Sequence, residues 1–222
     1  MNFVVVGAPL SGKGTISKKL SAYLNIPHIS TGNLLRDLVN SNSKEISTYV
    51  DEKLKKGELF PDEFIYAVLE NRLDKSDCKN GVILDGFPRT LTQAKWLDSK
   101  LKIDHAIYTT VSNATVLQRL SKRLICPTCS AVYSVDTYDK NYCEKCKTNL
   151  VRRADDTEEA LLKRIKDYNQ VTFPILDEYL KQNKLVTVAN EGSIDLVFEE
   201  LLRKLNIWLH LKLKLKSRKC MK

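Results

Sequence analysis

Four groups of residues in this chain have the types and the spacing to do chemistry. The first is "GAPLSGKGT", residues 7–15, directly after the apolar run "FVVV". It fits G-x-x-x-x-G-K, with Gly7, Gly12 and Lys13 at the fixed positions and Gly14 and Thr15 following. Glycines let a backbone turn tightly and point successive N–H groups inward. Those donors, with the positive end of a following helix, cradle phosphate oxygens, and a lysine adds a full charge. The alternative is a glycine-rich turn carrying a solvated lysine. The residue after Lys13 is Gly14 rather than a hydroxyl residue. Any Mg²⁺ at this loop is therefore expected to be held mostly by water and phosphate.

The second group is "DGFPR", residues 85–89. Asp85 ends an apolar run, where a carboxylate can orient the hydration shell of a metal beside phosphates; the alternative is that it caps the next helix. Gly86 permits close backbone approach, and Arg89 offers a planar fork that suits phosphate oxygens. The third group is a set of dispersed arginines, Arg36, Arg119, Arg123, Arg153 and Arg164. Singly each reads as a surface charge. With a phosphate loop they suggest a cage around several phosphate groups, which is what phosphoryl transfer requires. The fourth is Cys126-x-x-Cys129, thirteen residues, then Cys143-x-x-Cys146. Two such pairs can close a tetrahedral structural zinc site with no open position. Free thiols or a redox pair are the alternatives. His28 and His105 fall in strand patterns and read as structural.

Elements must hold these groups in place. "NFVVV" (2–6), "IPHIS" (26–30), "GVILD" (81–85), "HAIYTTV" (105–111) and "LVTVA" (185–189) read as strands. Residues 13–24, 62–74, 90–100, 113–124 and 157–181 carry apolar residues three and four apart and read as helical stretches. Alternation of this kind predicts an α/β fold, a three-layer parallel sheet of about five strands with helices on both faces. Such sheets bind ligands at the carboxyl ends of their strands, where "GAPLSGKGT", "STG" (30–32) and "DGFPR" all fall. Residues 30–60 read as a mostly helical excursion. Residues 125–151, with four cysteines and little apolar content, read as an insertion.

The 222 residues are 43% hydrophobic and 28% charged, enough for one substantial core. No apolar run is long enough to span a membrane, and the N-terminal segment does not read as a signal peptide. A cytoplasmic protein is expected, and paired cysteines there favour a metal over disulfides. The net charge of +9 suits anionic partners, although much of it lies in 208–222, where Leu and Lys alternate. That basic tail is expected to be poorly ordered. A zinc-ribbon nucleic-acid module fused to a nucleotide switch is a competing reading. It is opposed by the absence of a dense basic–aromatic stripe near the cysteines.

"GAPLSGKGT", "ISTGNLLR", "LDGFPRT" with Gln93, and "RRADD" occur in the order and spacing of adenylate kinases. Over residues 1–207 the chain resembles the long form of that family, whose lid holds zinc. The resemblance implies a P-loop core of 1–29, 61–124 and 156–207, an NMP-binding segment of 30–60 and a zinc-binding lid of 125–155. It implies ATP + AMP ⇌ 2 ADP with Mg²⁺ accompanying ATP, and structural Zn²⁺ on Cys126, Cys129, Cys143 and Cys146. Its partners would be ATP, AMP and ADP, with no nucleic acid and no membrane span, and the protein would be a monomer. GTP as donor, and another monophosphate as acceptor, stay open.

Residue by residue, the resemblance puts Gly7, Gly12, Lys13, Gly14, Thr15, Arg119 and Arg123 on ATP, with Arg119 stacked on adenine. It puts Thr31, Arg36, Gly86, Arg89, Gln93, Arg153 and Arg164 on AMP. Lys13, Asp85, Arg89, Arg123, Arg153 and Arg164 form the catalytic set, with Asp155 and Asp156 orienting the arginines. Two departures matter. Leu10 stands where the family usually has glycine, which costs on the order of 1 kcal/mol if φ there is positive and little otherwise. A loop disabled by that residue would leave a pseudo-enzyme. Asn33 replaces the usual aspartate of "STGD", expected to keep a similar capping ability while losing a charge.

Overall fold

The structure, a computed structural model, describes residues 1–39 and 43–207. The alternating tail of 208–222 lies outside the described residues.

"FVVV" is apolar without a break because both of its faces are covered. β1 (Phe3–Val6) is the central strand, and all four of its residues are buried. Val4 and Val6 join one apolar layer with Ile29, Leu84 and Ala106. Phe3 and Val5 join the other with Ile16, Ile83 and Ile107. Period two across a doubly covered sheet produces this split.

In chain order, α1 (Lys13–Leu24) follows β1, then β2 (His28–Ser30), α2 (Thr31–Val39), α3 (Lys44–Lys56), α4 (Asp62–Leu73), β3 (Ile83–Asp85), α5 (Leu91–Lys100), β4 (His105–Thr110) and α6 (Asn113–Lys122). A short hairpin of β5 (Arg123–Ile125) and β6 (Val132–Ser134) comes next. Then come α7 (Glu158–Asp167), α8 (Ile175–Lys181), β7 (Leu185–Ala189) and α9 (Ile194–Lys204). The large sheet is parallel throughout, in the order β2-β3-β1-β4-β7. β1 lies between β3 and β4, so the strand order reverses at its carboxyl end. That switch point is where open α/β sheets bind ligands.

The five expected strands form this sheet, four of them shorter by one or two residues at one end and β7 as expected. The stretch 157–181 is not one helix. A single π turn, Tyr168–Thr172, interrupts it, with Phe173 N–H donating to Tyr168 O at 2.8 Å, and Pro174 then starts α8. The expected helix of 113–124 stops at Lys122 because Arg123 turns extended and enters the hairpin. α9 was not among the helical stretches read from sequence. Val197, Leu201 and Leu202 from it complete the Phe3/Val5 layer.

Candidate functional site

The phosphate loop connects β1 to α1 and is held from three sides. Asn190, just past β7, donates through Nδ2 to Ser11 O at 2.6 Å. Ser11 Oγ and Thr109 Oγ1, the latter on β4, lie 2.8 Å apart. Arg119 on α6 donates to Leu10 O at 3.0 Å and to Asn190 O at 2.7 Å. Gly12, with φ of 83°, sits so close to this brace that a Cβ would meet Asn190 Nδ2 at 1.9 Å. The motif's second glycine is therefore required by its neighbour as well as by its dihedral. Leu10 has φ of 62°. The strained branch of the sequence expectation is the one the backbone adopts.

Lys13 curls over the loop and donates to Gly7 O at 2.8 Å and Ala8 O at 2.7 Å. Burial lowers its pKa from 10.5 to about 8, partly offset by the attraction of Asp85. A recessed ammonium whose hydrogen bonds go to backbone carbonyls is poised to exchange them for phosphate oxygens.

Asp85, at the end of β3, is 8% exposed and accepts from His28 at 3.2 Å. Burial opposes its charge. The His28 bond and the Lys13 charge outweigh burial and hold the carboxyl below its ordinary range. His28, read from sequence as a structural residue, is thus a direct neighbour of the site. Period-two placement on β2 was the available signal, since Ser30 on the same face opens "STG". Past Asp85 the chain makes a cis Phe87–Pro88 peptide. Gly86, with φ of 81°, would set a Cβ 2.9 Å from Thr31 Oγ1. Thr31 donates to Gly86 O at 2.9 Å, and Arg89 Nε donates to the same carbonyl at 2.9 Å.

The dispersed arginines converge on one cleft. Lys13, Arg36, Arg89, Arg119, Arg123, Arg153 and Arg164 all line a space of about 1390 Å³, more than the roughly 300–1,000 Å³ of a one-ligand site. Two neighbouring carboxylates hold them. Asp155 accepts from Arg164 at 2.7 Å and lies 3.6 Å from Arg36. Asp156 makes a two-point pair with Arg123 through Nε and Nη2. Arg153 has a buried Nε with no hydrogen-bond partner. Burial, then the charges of Arg36 and Arg123, lower its pKa to about 10. Burial likewise lowers Arg89, with Arg164 adding to the effect. Crowded cations with too few carboxylates form a ready receptacle for anionic oxygens. Asn33 does not cap α2 with its side chain. It lies inside the helix and accepts from Arg36 Nη2 at 2.8 Å.

Gln93, in the first turn of α5, is 3% exposed. It accepts from Arg89 N–H at 2.7 Å and donates to Asp62 at 2.6 Å. The π turn also reaches this corner, because Thr172 donates to Arg89 O at 3.0 Å. Asp62, Thr172 and Asn190 all touch predicted site residues and were missed from sequence. Each acts through a contact more than thirty positions distant or through a backbone atom, which no local pattern encodes.

The four cysteines come together. Their Sγ atoms lie within 4.8 Å of one another, and the cluster could hold a metal ion. Two matched turns build it. Ser130 N–H donates to Cys126 O at 2.9 Å, and Lys147 N–H donates to Cys143 O at 2.8 Å. Ser130 and Lys147 each follow the second cysteine of a pair and have φ of 54° and 59°. Backbone donors of Thr128 and Cys129 face the Cys126 sulfur. They outweigh burial and draw its pKa down. Tyr133, then the backbone of Cys146 and Lys145, does the same at Cys143. Lys18 on α1 reaches the first turn, donating to Ser130 O at 2.8 Å.

The family model described as adenylate kinase matches residues 5–184. An adenylate kinase of Thermosipho africanus is 43% identical over 210 residues, covering 91% of this chain and 98% of that protein. An adenylate kinase of Thermotoga maritima is 40% identical over 208 residues, covering 90% and 94%. One of Finegoldia magna is 39% identical over 213 residues, covering 92% and 99%.

Proposed function

The chain belongs to the adenylate kinase family, and from that premise we propose how its own residues divide the work. The reaction is reversible transfer of the terminal phosphoryl group of Mg-ATP to AMP, giving two ADP. Such transfer asks little covalent chemistry of the protein and depends on positioning and charge neutralisation.

Lys13 and the N–H groups of Gly12, Gly14 and Thr15, on the loop opened by Gly7, hold the ATP phosphates. Arg119 braces that loop at its adenine side. Arg36 and Arg89 take the AMP phosphate, while Thr31, Gly86 and Gln93 form the base pocket. Arg123, Arg153 and Arg164 neutralise the transferring group, with Arg153 and Arg164 also reaching the AMP side. Asp155 and Asp156 orient these arginines and move no proton. Magnesium arriving with ATP would supply further neutralisation of phosphate charge, and Asp85 would receive its water shell. The observation that carries this assignment is the buried Nε of Arg153, a guanidinium nitrogen with no hydrogen-bond partner among the described residues, beside arginines that share only two carboxylates.

For the lid, zinc is the metal that fits. A Zn–S length of about 2.3 Å sets tetrahedral sulfurs roughly 3.8 Å apart, and Cys129 and Cys143 are 3.6 Å apart. Cys126, Cys129, Cys143 and Cys146 would hold it, and four thiolates leave no open position for catalysis. Residues 30–60 close over AMP and 125–155 over ATP, against a core of 1–29, 61–124 and 156–207. Closure excludes water and limits wasteful hydrolysis. No described helix is long and apolar enough to cross a membrane, and the protein is proposed to be a monomer. The proposed setting is the cytoplasm, where cysteines spaced as two C-x-x-C pairs favour a metal over disulfides.

The test is a transfer panel of protein and Mg-ATP with AMP, CMP, UMP and GMP, and of Mg-GTP with AMP, with diphosphates separated by chromatography. The expected result is transfer that is fastest from ATP to AMP. Nucleotide binding without transfer to any acceptor would overturn the catalytic assignment.

A further inference from the structure

We propose that Asp62 sets the base selectivity of the acceptor site by fixing which way round the Gln93 amide faces. The inference rests on Gln93 reading the acceptor base.

The amide is assigned from both ends by chemistry. A backbone N–H can only donate, so the atom 2.7 Å from Arg89 N is the carboxamide oxygen. An ionised carboxylate can only accept, so the atom 2.6 Å from Asp62 Oδ1 is the carboxamide nitrogen. Turning the group over would set NH₂ against N–H on one side and oxygen against carboxylate on the other. After these two bonds the nitrogen keeps one N–H and the oxygen keeps one lone pair. The base therefore meets a donor and an acceptor in a fixed order.

That order discriminates. The adenine edge offers an acceptor at N1 and a donor at the 6-amino group. Guanine and hypoxanthine offer the reverse, a donor at N1–H and an acceptor at O6. An amide held one way pairs with adenine at both points, and the same amide turned over pairs with the other two. A site built to hydrogen-bond one pattern rejects its inverse because buried polar groups are left unpaired. Arg89 N belongs to the backbone and is fixed by the chain. Asp62 is the side chain that completes the clamp. It stands at the first position of α4, right after Pro61, where the 30–60 segment rejoins the rest of the chain. Its partner is thirty-one residues away and buried.

The test is the ratio of kcat/KM for AMP to that for inosine monophosphate, which carries guanine's hydrogen-bonding edge without the 2-amino group. It is measured for the wild type, Asp62→Ala and Asp62→Asn, with melting temperature and KM for ATP followed in parallel. Loss of one anchor should lower the ratio about tenfold in Asp62→Ala, mainly through KM for AMP, with KM for ATP unchanged. Asp62→Asn keeps an acceptor oxygen and should return the ratio to within about threefold of wild type. A wild-type ratio in Asp62→Ala would overturn the proposal. So would an Asn variant as unselective as Ala with unchanged melting. A wild type that does not distinguish the two acceptors would instead remove the base-reading role of Gln93, and this inference with it.

Discussion

The phosphate loop and the cysteine lid are both built from tight turns that put non-glycine residues at positive φ, and they are held by opposite means. In the loop, Leu10 sits at φ 62°, and its carbonyl is held by Arg119 from α6 while Asn190 and Thr109 hold the next residue, Ser11. The anchors come from three elements of the sheet core, and the strain is absorbed by a large packed structure. In the lid, Ser130 and Lys147 have the same backbone sign, yet around them Val132, Val135 and Val151 are 45%, 50% and 42% exposed. The lid has almost no apolar core beyond Cys126 and Cys143 themselves, both fully buried. One strained turn is held by packing and hydrogen bonds, the other by whatever joins four sulfurs. The difference separates the core from the part that the proposed closure would set in motion.

The largest expected effect breaks the chemistry and leaves the rigid region standing. Lys13→Met should lower kcat/KM by about a thousandfold or more, because it removes a preorganised charge from the transferring phosphates. The melting temperature should not fall. The folded protein depresses the Lys13 pKa from 10.5 to about 8. The unfolded chain therefore binds more protons between these values, and the penalty of burying the charge is present below pH 8 and relieved as pH rises towards 10.5. A phosphate ligand restores the charged form. ATP binding near pH 8–9 should then take up protons, seen as a dependence of calorimetric heat on the buffer's ionisation enthalpy. Uptake that persists in Lys13→Met would show that another group is responsible.

A smaller effect breaks the cysteine lid. With zinc on the four cysteines, chelation should remove the module's main cross-link, a loss of order 2–4 kcal/mol and a fall in melting temperature of about 5–15 °C for a chain of this size. Some activity should survive at low temperature, because the loop and Arg36, Arg89 and Arg164 lie outside the lid. Circular dichroism melts and assays, with the bound metal measured before and after, check this. Unchanged melting with the metal demonstrably gone would mean that the β5–β6 hairpin folds on its own pairing.

What sequence could and could not reveal follows the same division. The sheet was legible because a doubly covered parallel strand leaves a continuous apolar run, as in "FVVV" and "GVILD". The loop and the cysteine pairs were legible because their chemistry needs fixed local spacing. The break at Tyr168–Thr172 was not, since the apolar spacing runs through it and only Pro174 hints at an interruption. Asp62 and Asn190 were invisible for a different reason. Each acts through hydrogen bonds to residues remote in the chain, Gln93 for Asp62 and both Ser11 and Arg119 for Asn190, and neither belongs to a motif. His28, read as structural from its strand pattern, also hydrogen-bonds a site carboxylate, Asp85. Only the register β2–β3, which pairs Ser30 with Asp85, brings its ring to that carboxylate.

The smallest expected effect sharpens the comparison at Leu10. A leucine at φ 62° costs about 1–2 kcal/mol relative to an ordinary conformation. Glycine there would remove that strain and would also add conformational freedom to the unfolded chain, worth about 0.4–1 kcal/mol in the opposite direction. The two nearly offset. Leu10→Gly should raise the melting temperature by no more than about 3 °C. If the loop's shape is imposed by Arg119, Asn190 and Thr109, kcat/KM for ATP should stay within about twofold of wild type, because those anchors bind backbone atoms and Ser11 rather than the Leu10 side chain. A drop of tenfold or more with unchanged stability would assign the leucine side chain, which lines the cleft, a direct contact with the nucleotide. The rigid region would then owe part of its function to the very residue that strains it.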